Sequence, residues 1–284
     1  MSLWNRVLRI VAIIVLTPVI FLLSCQSRLI YFPNPYRNEY ETALQKARGA
    51  RIRFTTSQGR QTAFYIPPHS PPSSGLPPTL WLCFAGNGSL ALDWLSHTSG
   101  WDTHQAYLLI DYPSYGECEG EPTPYRIRES SKAAVAALAA HLQTTQEELH
   151  PRLAVLGHSL GAAAALMAAD DLDVCRGVLL SPFTTMTEMG RIVLGWPLCY
   201  LNRHRFDNQQ TLGRVAARPG ARFVIFHGGD DEVIPVRMGR ELSQAHPQVV
   251  TFHEIPGGHH NDLLETDSPQ VGRAMQEVLA GAQP

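Results

Sequence analysis

Ser159 stands at the centre of Gly157-His158-Ser159-Leu160-Gly161, a G-x-S-x-G pattern in which a serine on a strained turn projects its hydroxyl above the end of a sheet. The flanking glycines have a steric reason: a serine in that conformation crowds the positions two before and two after it. A serine hydroxyl is a poor nucleophile near neutral pH, so acyl transfer through it needs a base within hydrogen-bond reach and a carboxylate to orient that base. Candidates for both lie downstream in the order acid, then histidine. Asp230 and Asp231 close the stretch His227-Gly-Gly-Asp-Asp231, and His259 and His260 follow Gly257-Gly258. Negative charge developing on a carbonyl oxygen needs aimed N–H donors, each worth about 3 to 4 kcal/mol. Leu160, directly after the serine, supplies one such N–H, and a second belongs on the loop after an earlier strand, where Phe84-Ala-Gly-Asn-Gly88 falls. His158 precedes the serine, and its direction across the turn suits packing beside the nucleophile better than acting as its base.

These residues must be held by elements that bring distant parts of the chain together. Leu153 to Leu156 is a short apolar run with strand character, and Ala162 to Ala169 is rich in the best helix former, so Ser159 falls between strand and helix. Thr79 to Phe84 and Ala106 to Ile110 read as buried strands, and Gly177 to Leu180, Arg222 to Phe226 and Val249 to Ile255 as further strands, each ending in a turn-rich loop. Helical patterns occupy Leu90 to His97, Ile127 to Leu142, Val236 to Ala245 and Pro269 to Leu279. Strands alternating with helices define βα units and a parallel sheet, here preceded by an antiparallel hairpin, Ile52 to Thr56 with Gln61 to Ile66. Functional groups belong at the carboxyl ends of such strands, which is where the candidate residues lie. Pro67 to Pro78 reads as a surface loop within one domain, not as a domain boundary.

A chain of 284 residues, 44% hydrophobic and 17% charged with net charge −2, suits one large globular domain or two small ones. No basic cluster appears, so nucleic acid is set aside as a partner. The start of the chain differs from the rest. Arg6 and Arg9 precede Ile10 to Leu23, an apolar run broken only by Thr17 and Pro18, followed by Ser24-Cys25. That layout is a targeting or anchoring segment, residues 1–25, ahead of a domain from 26 to 284. Leu22-Leu-Ser-Cys25 resembles the lipobox of bacterial lipoproteins, which implies Cys25 as a lipid anchor; an uncleaved signal anchor with an incidental cysteine is the alternative. Either reading puts the protein at a membrane. The remaining cysteines, Cys83, Cys118, Cys175 and Cys199, have irregular spacing with no C-x-x-C, so no zinc or redox motif and no disulfide pairing is assigned. No metal or cofactor is expected.

Taken together, these stretches resemble the α/β-hydrolases, over roughly Leu80 to Leu263. His227-Gly-Gly-Asp-Asp231-Glu-Val-Ile-Pro235 is similar to the H-G-x-x-D-x-x-[VI]-P signature of that family, which implies Asp231 as the acid and leaves Asp230 a turn residue serving local backbone N–H groups. Gly257-Gly-His-His260-Asn-Asp262 is similar to the G-x-x-H-N-D form of one branch, which implies His260 as the base and His259 as a surface residue. The Phe84 to Gly88 loop resembles the branch's H-G-N-A loop and implies the Asn87 N–H as the second oxyanion donor. Ala85 departs from the histidine found there, which puts that loop's usual bracing hydrogen bond in doubt. Asp111-Tyr-Pro-Ser-Tyr-Gly116 is similar to D-Y-R-G-Y-G, and Arg205-Phe-Asp-Asn208 to a further segment of the branch, which is membrane-anchored and includes acyl-protein thioesterase-like depalmitoylases.

The resemblance implies an α/β-hydrolase fold: a mostly parallel central sheet with an antiparallel leading hairpin, helices on both faces and a small cap over the nucleophile. The segment 183–212 falls where such a cap is inserted, and its apolar residues suggest an acyl or alkyl pocket. The expected activity is cofactor-independent cleavage of carboxylic esters or thioesters, from a lipid or an acylated protein, through an acyl-enzyme on Ser159. Two alternatives use the same residues: a peptidase or lipid-directed lipase, and a non-catalytic lipoprotein that keeps the fold as a binding module. The intact set of serine, aspartate and histidine argues against the second.

Overall fold

A computed structural model describes residues 3–70, 75–266 and 268–280. Two helices lead the chain, α1 (Leu3–Ile30) and α2 (Asn38–Lys46), followed by the hairpin β1 (Ala50–Thr56) and β2 (Gly59–Ile66). Next come β3 (Leu80–Phe84), a 3-10 turn at Ala91–Trp94, α3 (Leu95–Thr98), β4 (Ala106–Ile110), α4 (Pro124–His141) and α5 (Gln146–Leu149). The central unit is β5 (Leu153–His158) with α6 (Leu160–Asp171), and β6 (Arg176–Leu180), α7 (Met186–Leu194), a 3-10 turn at Leu198–Leu201 and α8 (Asn208–Ala216) follow. β7 (Arg222–Gly228), α9 (Val236–Ala245), β8 (Val250–Ile255), α10 (Leu263–Thr266) and α11 (Ser268–Glu277) complete it. The expected surface loop Pro67 to Pro78 lies partly outside the described residues.

The eight strands form one sheet in the order β1-β2-β4-β3-β5-β6-β7-β8. β1 with β2 and β2 with β4 are antiparallel, and every later pairing is parallel. β3 and β4 are buried throughout, as strands covered on both faces must be, which is why their sequences are unbroken apolar runs. One core cluster joins Leu82, Val155 and Ile225 to α4, α6 and α9 residues, and the other joins Trp81, Leu156 and Val178 to Val271 and Met275 of α11. The fold class is an α/β-hydrolase sheet with helices on both faces.

β5 lies at the middle of this sheet, and its abrupt passage into α6 depends on two glycines. A Cβ at Gly157 would lie 2.1 Å from the Gly161 carbonyl oxygen, and one at Gly161 would lie 2.1 Å from the Phe84 carbonyl oxygen. Backbone oxygens cannot swing aside as side chains do. Gly161→Ala is therefore expected to destabilise the protein by about 3 kcal/mol, read as a lowered urea midpoint, and an unchanged midpoint would contradict this account of the turn.

α1 is longer than the apolar run in the sequence suggested. Its most apolar eighteen residues have a mean hydropathy of 2.6, long and apolar enough for a signal anchor or membrane span. From Leu22 onward it turns one side to the domain: Leu22 and Gln26 are buried, and the helix packs on the Leu198–Leu201 turn.

Candidate active site

Ser159 occupies the turn between β5 and α6 with φ 58° and ψ −118°. This left-handed, strained backbone is held by the Ser159 N–H donating to the Leu180 carbonyl at 2.8 Å. The hydroxyl meets His260 Nε2 at 2.9 Å, and His260 Nδ1 meets Asp231 Oδ2 at 2.8 Å. Residues separated by up to 101 positions thus form one hydrogen-bonded chain at the carboxyl edge of the sheet. Ser159 and His260 are both buried, which strengthens each contact relative to water.

Asp231 is fixed from several sides. Its Oδ1 accepts from the Val233 and Ile234 N–H groups at 2.9 and 2.7 Å, and His227 Nε2 approaches Oδ2 at 3.3 Å while donating to the Ile234 carbonyl at 2.8 Å. Burial alone would raise this carboxyl's pKa. Hydrogen bonds from His227 and His260, the charge of His260 and the Ile234 N–H outweigh it and hold the group well below the usual carboxylate range. The turn-capping role expected of Asp230 belongs instead to Asp231, because the loop's N–H groups converge on Oδ1, and the Asp230 side chain points to solvent. His259 is exposed, with Nδ1 3.2 Å from Glu232 Oε2.

His158 packs beside the catalytic candidates. Its Nε2 donates to the His260 carbonyl at 2.9 Å, and the two rings stand 4.9 Å apart, centre to centre. Burial first, then the charge of His260, lowers its pKa to about 4, so it is neutral at pH 7. An unfolded histidine titrates near 6.5, so the folded state binds fewer protons between about pH 6.5 and 4, and stability falls as pH drops through that window. His158→Gln keeps an N–H for the His260 carbonyl and removes the titration. Between pH 7 and 4.5 the variant is expected to lose about 2 kcal/mol less stability than the parent, measured by urea unfolding at both pH values.

The loop carrying Asn87 follows β3 and lies against the serine: a Cβ on Gly86 would come 3.8 Å from Ser159 Cβ. Its bracing comes from the Asp111 to Gly116 segment, which the sequence marked as a motif without giving it a role. Tyr112 Oη donates to the Ala85 carbonyl and Tyr115 Oη to the Asn87 carbonyl, each at 2.5 Å, while Asp111 accepts from the Ala91 N–H at 2.8 Å. The stabilisation that a histidine at position 85 would bring therefore arrives through the loop's carbonyls, from the Asp111 to Gly116 segment. Two tyrosines three apart just after a strand end were the available signal. α1 holds the same loop from outside: Asn87 Nδ2 donates to the Ile30 carbonyl at 3.0 Å, and the Phe32 N–H donates to the Asn87 carbonyl at 3.0 Å.

A cleft of about 900 Å³ opens beside the imidazole. Gly86, His158 and His260 line it, as do Tyr40, Trp94 and Leu264. Its walls come from α2, the Ala91–Trp94 turn and α10, and no residue of 183–212 contributes. α2 has no counterpart in the sequence reading, which assigned substrate selection to 183–212 alone. That segment leaves the core between Thr185 and Asp207, which meet in an isolated antiparallel bridge, and Asp207 then caps α8 by accepting from the Gln210 N–H at 2.8 Å.

All five cysteines are free. Among the described residues no group of three or more histidine, cysteine or acidic side chains is arranged to hold a metal ion. Cys25 lies within α1, half-buried.

A serine, an imidazole and a carboxylate joined above the carboxyl ends of parallel strands, on a sheet of this order, define the α/β-hydrolase class. The profile of the Alpha/beta hydrolase family matches residues 72–209, and the chain belongs to that family. It is 30% identical over 280 residues to the uncharacterized protein Rv2307c of Mycobacterium tuberculosis, covering 96% of this chain and 94% of that one. The Alpha/beta hydrolase domain-containing protein 17C of Xenopus tropicalis is 24% identical over 153 residues, 54% of this chain and 46% of that protein. Among solved structures, the esterase Pf2001 of Pyrococcus furiosus superposes with a TM-score of 0.64 at 15% identity, covering 88% of this chain and 97% of its own.

Proposed function

We propose that the protein is a membrane-anchored serine hydrolase that cleaves carboxylic ester or thioester bonds through an acyl-enzyme. The observation that carries this reading is the unbroken contact chain from Ser159 Oγ through His260 to Asp231. In the first half-reaction His260 Nε2 takes the hydroxyl proton as Ser159 Oγ attacks the acyl carbon. The tetrahedral oxyanion is held by the Leu160 and Asn87 N–H groups. His260 then gives the proton to the departing alkoxide or thiolate as the C–O or C–S bond breaks. Water repeats the sequence on the acyl-enzyme, with His260 as its base, and releases the carboxylic acid. Asp231 keeps the proton of the imidazole on Nδ1 and stabilises the imidazolium. The cleft beside His260 reaches the imidazole and Gly86, while Ser159 itself is not among its lining residues.

For the N-terminus we favour an uncleaved anchor over a lipoprotein. Leu22, upstream of Cys25, is already buried against the domain, a contact that cleavage before Cys25 would remove. The family motifs and α1 support a place in the membrane-anchored, acyl-protein thioesterase-like branch.

The test is labelling by a fluorophosphonate probe together with hydrolysis of short p-nitrophenyl esters and an acyl thioester. Folded protein that shows neither labelling nor turnover removes the catalytic reading and leaves the binding-module alternative. Mass spectrometry of the mature N-terminus separates the two anchors, since a diacylglyceryl Cys25 at the terminus contradicts the uncleaved form.

A further inference from the structure

The 186–206 excursion carries a surface that the mechanism above does not use. Of seven large apolar side chains exposed outside α1 among the described residues, four, Ile192, Val193, Trp196 and Tyr200, fall within nine positions. Val193 and Trp196 are 73% and 75% exposed. Clustered exposure of this kind marks an interaction face, whereas single exposed apolar residues do not.

The same excursion receives the end of α1. Gln26 Oε1 accepts from the Arg203 N–H at 2.5 Å, Ser27 Oγ lies 3.1 Å from His204 Nε2, and Tyr31 Oη lies 3.2 Å from His204 Nδ1. With the anchor reading above, on which this inference rests, the geometry then fixes where the bilayer must lie. Arg9 and Arg28 bracket an uncharged run from Ile10 to Ser27. Eighteen helical residues rise roughly 27 Å, which is close to the thickness of a hydrocarbon core and leaves none of the run to spare. Yet one side of the helix packs on the domain from Leu22, with Leu22 and Gln26 buried, so the last stretch of that rise, Leu22 to Ser27 or about 9 Å, runs along the excursion. The excursion cannot stand clear of the membrane if the run spans it. Interfacial elements sit about 5 to 10 Å into the headgroup and acyl boundary, which is the depth this overlap requires.

Charge agrees with that placement. Arg28, Arg191, Arg203 and Arg205 are all exposed around the patch, with Glu188 facing Arg191 at 3.8 Å. Tryptophan and tyrosine suit the interface, where one end of the ring is apolar and the other wet.

We propose that Ile192, Val193, Trp196 and Tyr200 form a second membrane contact, seated in the leaflet from which α1 emerges and rimmed by arginines that meet anionic headgroups. The domain is then held by two contacts instead of swinging on a tether.

The full chain, with the photo-crosslinker p-benzoylphenylalanine in place of Val193, Trp196 or, as a control, Tyr125 on α4, is reconstituted in vesicles of phosphatidylcholine and phosphatidylglycerol and irradiated. Positions 193 and 196 are expected to give phospholipid adducts at least tenfold above position 125, with lower yield in phosphatidylcholine alone. Adducts joining two copies of the chain, or lipid yields at 193 and 196 no higher than at 125, overturn the proposal. So does failure of the chain to resist alkaline extraction, which removes the anchor as well. Crosslinking needs no turnover, so adducts in a protein that hydrolyses nothing leave this inference standing while the catalytic one falls. Ile192→Asp with Trp196→Asp should reduce adducts at 193 tenfold without changing hydrolysis of a soluble ester.

Discussion

Ser159→Ala is expected to abolish fluorophosphonate labelling and to lower ester hydrolysis by four orders of magnitude or more. The hydroxyl is the one group in the contact chain able to form the covalent bond, and neither His260 nor Asp231 can take its place without moving the imidazole. The loss should stop short of the uncatalysed rate, since the Leu160 and Asn87 N–H groups proposed as oxyanion donors remain, and such donors with substrate binding alone retain about 10³ to 10⁴-fold catalysis. The fold should not suffer. Alanine meets the same left-handed backbone strain as serine at φ 58°, the Ser159 N–H bond to the Leu180 carbonyl is a backbone contact, and the hydroxyl's partner is a side chain. Thermal unfolding within a few degrees of the parent, beside lost turnover, separates a chemical role from a structural one. A variant that still hydrolyses esters within tenfold of the parent contradicts the mechanism at its first step.

The parts of the site legible in the sequence are those whose constraints are local. Gly157 and Gly161 are dictated by backbone oxygens within the turn itself or in the strand beside it, so the pattern around Ser159 carries its own steric explanation. Asp231 was distinguishable from Asp230 only through the family signature. The physical reason for the choice, convergence of the Val233 and Ile234 N–H groups on one carboxylate, depends on a loop conformation that composition does not disclose. What was not legible depends on contacts between distant segments. α2 is a polar helix with Leu44 as its buried residue, so it has no apolar stripe to announce it, yet it supplies a wall of the cleft beside His260. The braces on the Asn87 loop come from Tyr112, Tyr115 and the end of α1, 27 to 57 residues away in sequence. Arg28 to Tyr36 runs on from the end of α1 and carries Tyr31 and Phe32 to the excursion and the Asn87 loop respectively.

Asp231→Asn is the sharper test of how the imidazole is controlled, because it replaces one carboxylate oxygen by NH₂ at almost the same volume. Every group around this carboxylate is a donor: the Val233 and Ile234 N–H groups at Oδ1, and His260 Nδ1 with His227 Nε2 at Oδ2. An asparagine offers a single acceptor oxygen and must point its NH₂ at one of the two sets. If the oxygen serves Val233 and Ile234, the NH₂ faces His260 Nδ1 and selects the tautomer protonated on Nε2, which cannot accept the Ser159 proton. If the oxygen serves His260, the NH₂ opposes two backbone N–H groups and the loop must open. Either arrangement is expected to lower kcat by about 10³ to 10⁴-fold while Ser159 and the oxyanion donors remain in place. Stability should also change in a pH-dependent way. The Asp231 carboxyl is held below the usual range in the folded state, so its stabilisation is complete above the pKa of an unfolded aspartate and is lost as pH falls below it. The variant has no such proton to bind, so its deficit against the parent is largest near neutral pH and shrinks in acid. Asp230→Asn, at an exposed side chain outside this network, is expected to leave kcat within about twofold. Equal losses in the two variants would mean that the carboxylate holding His260 is not the one at position 231.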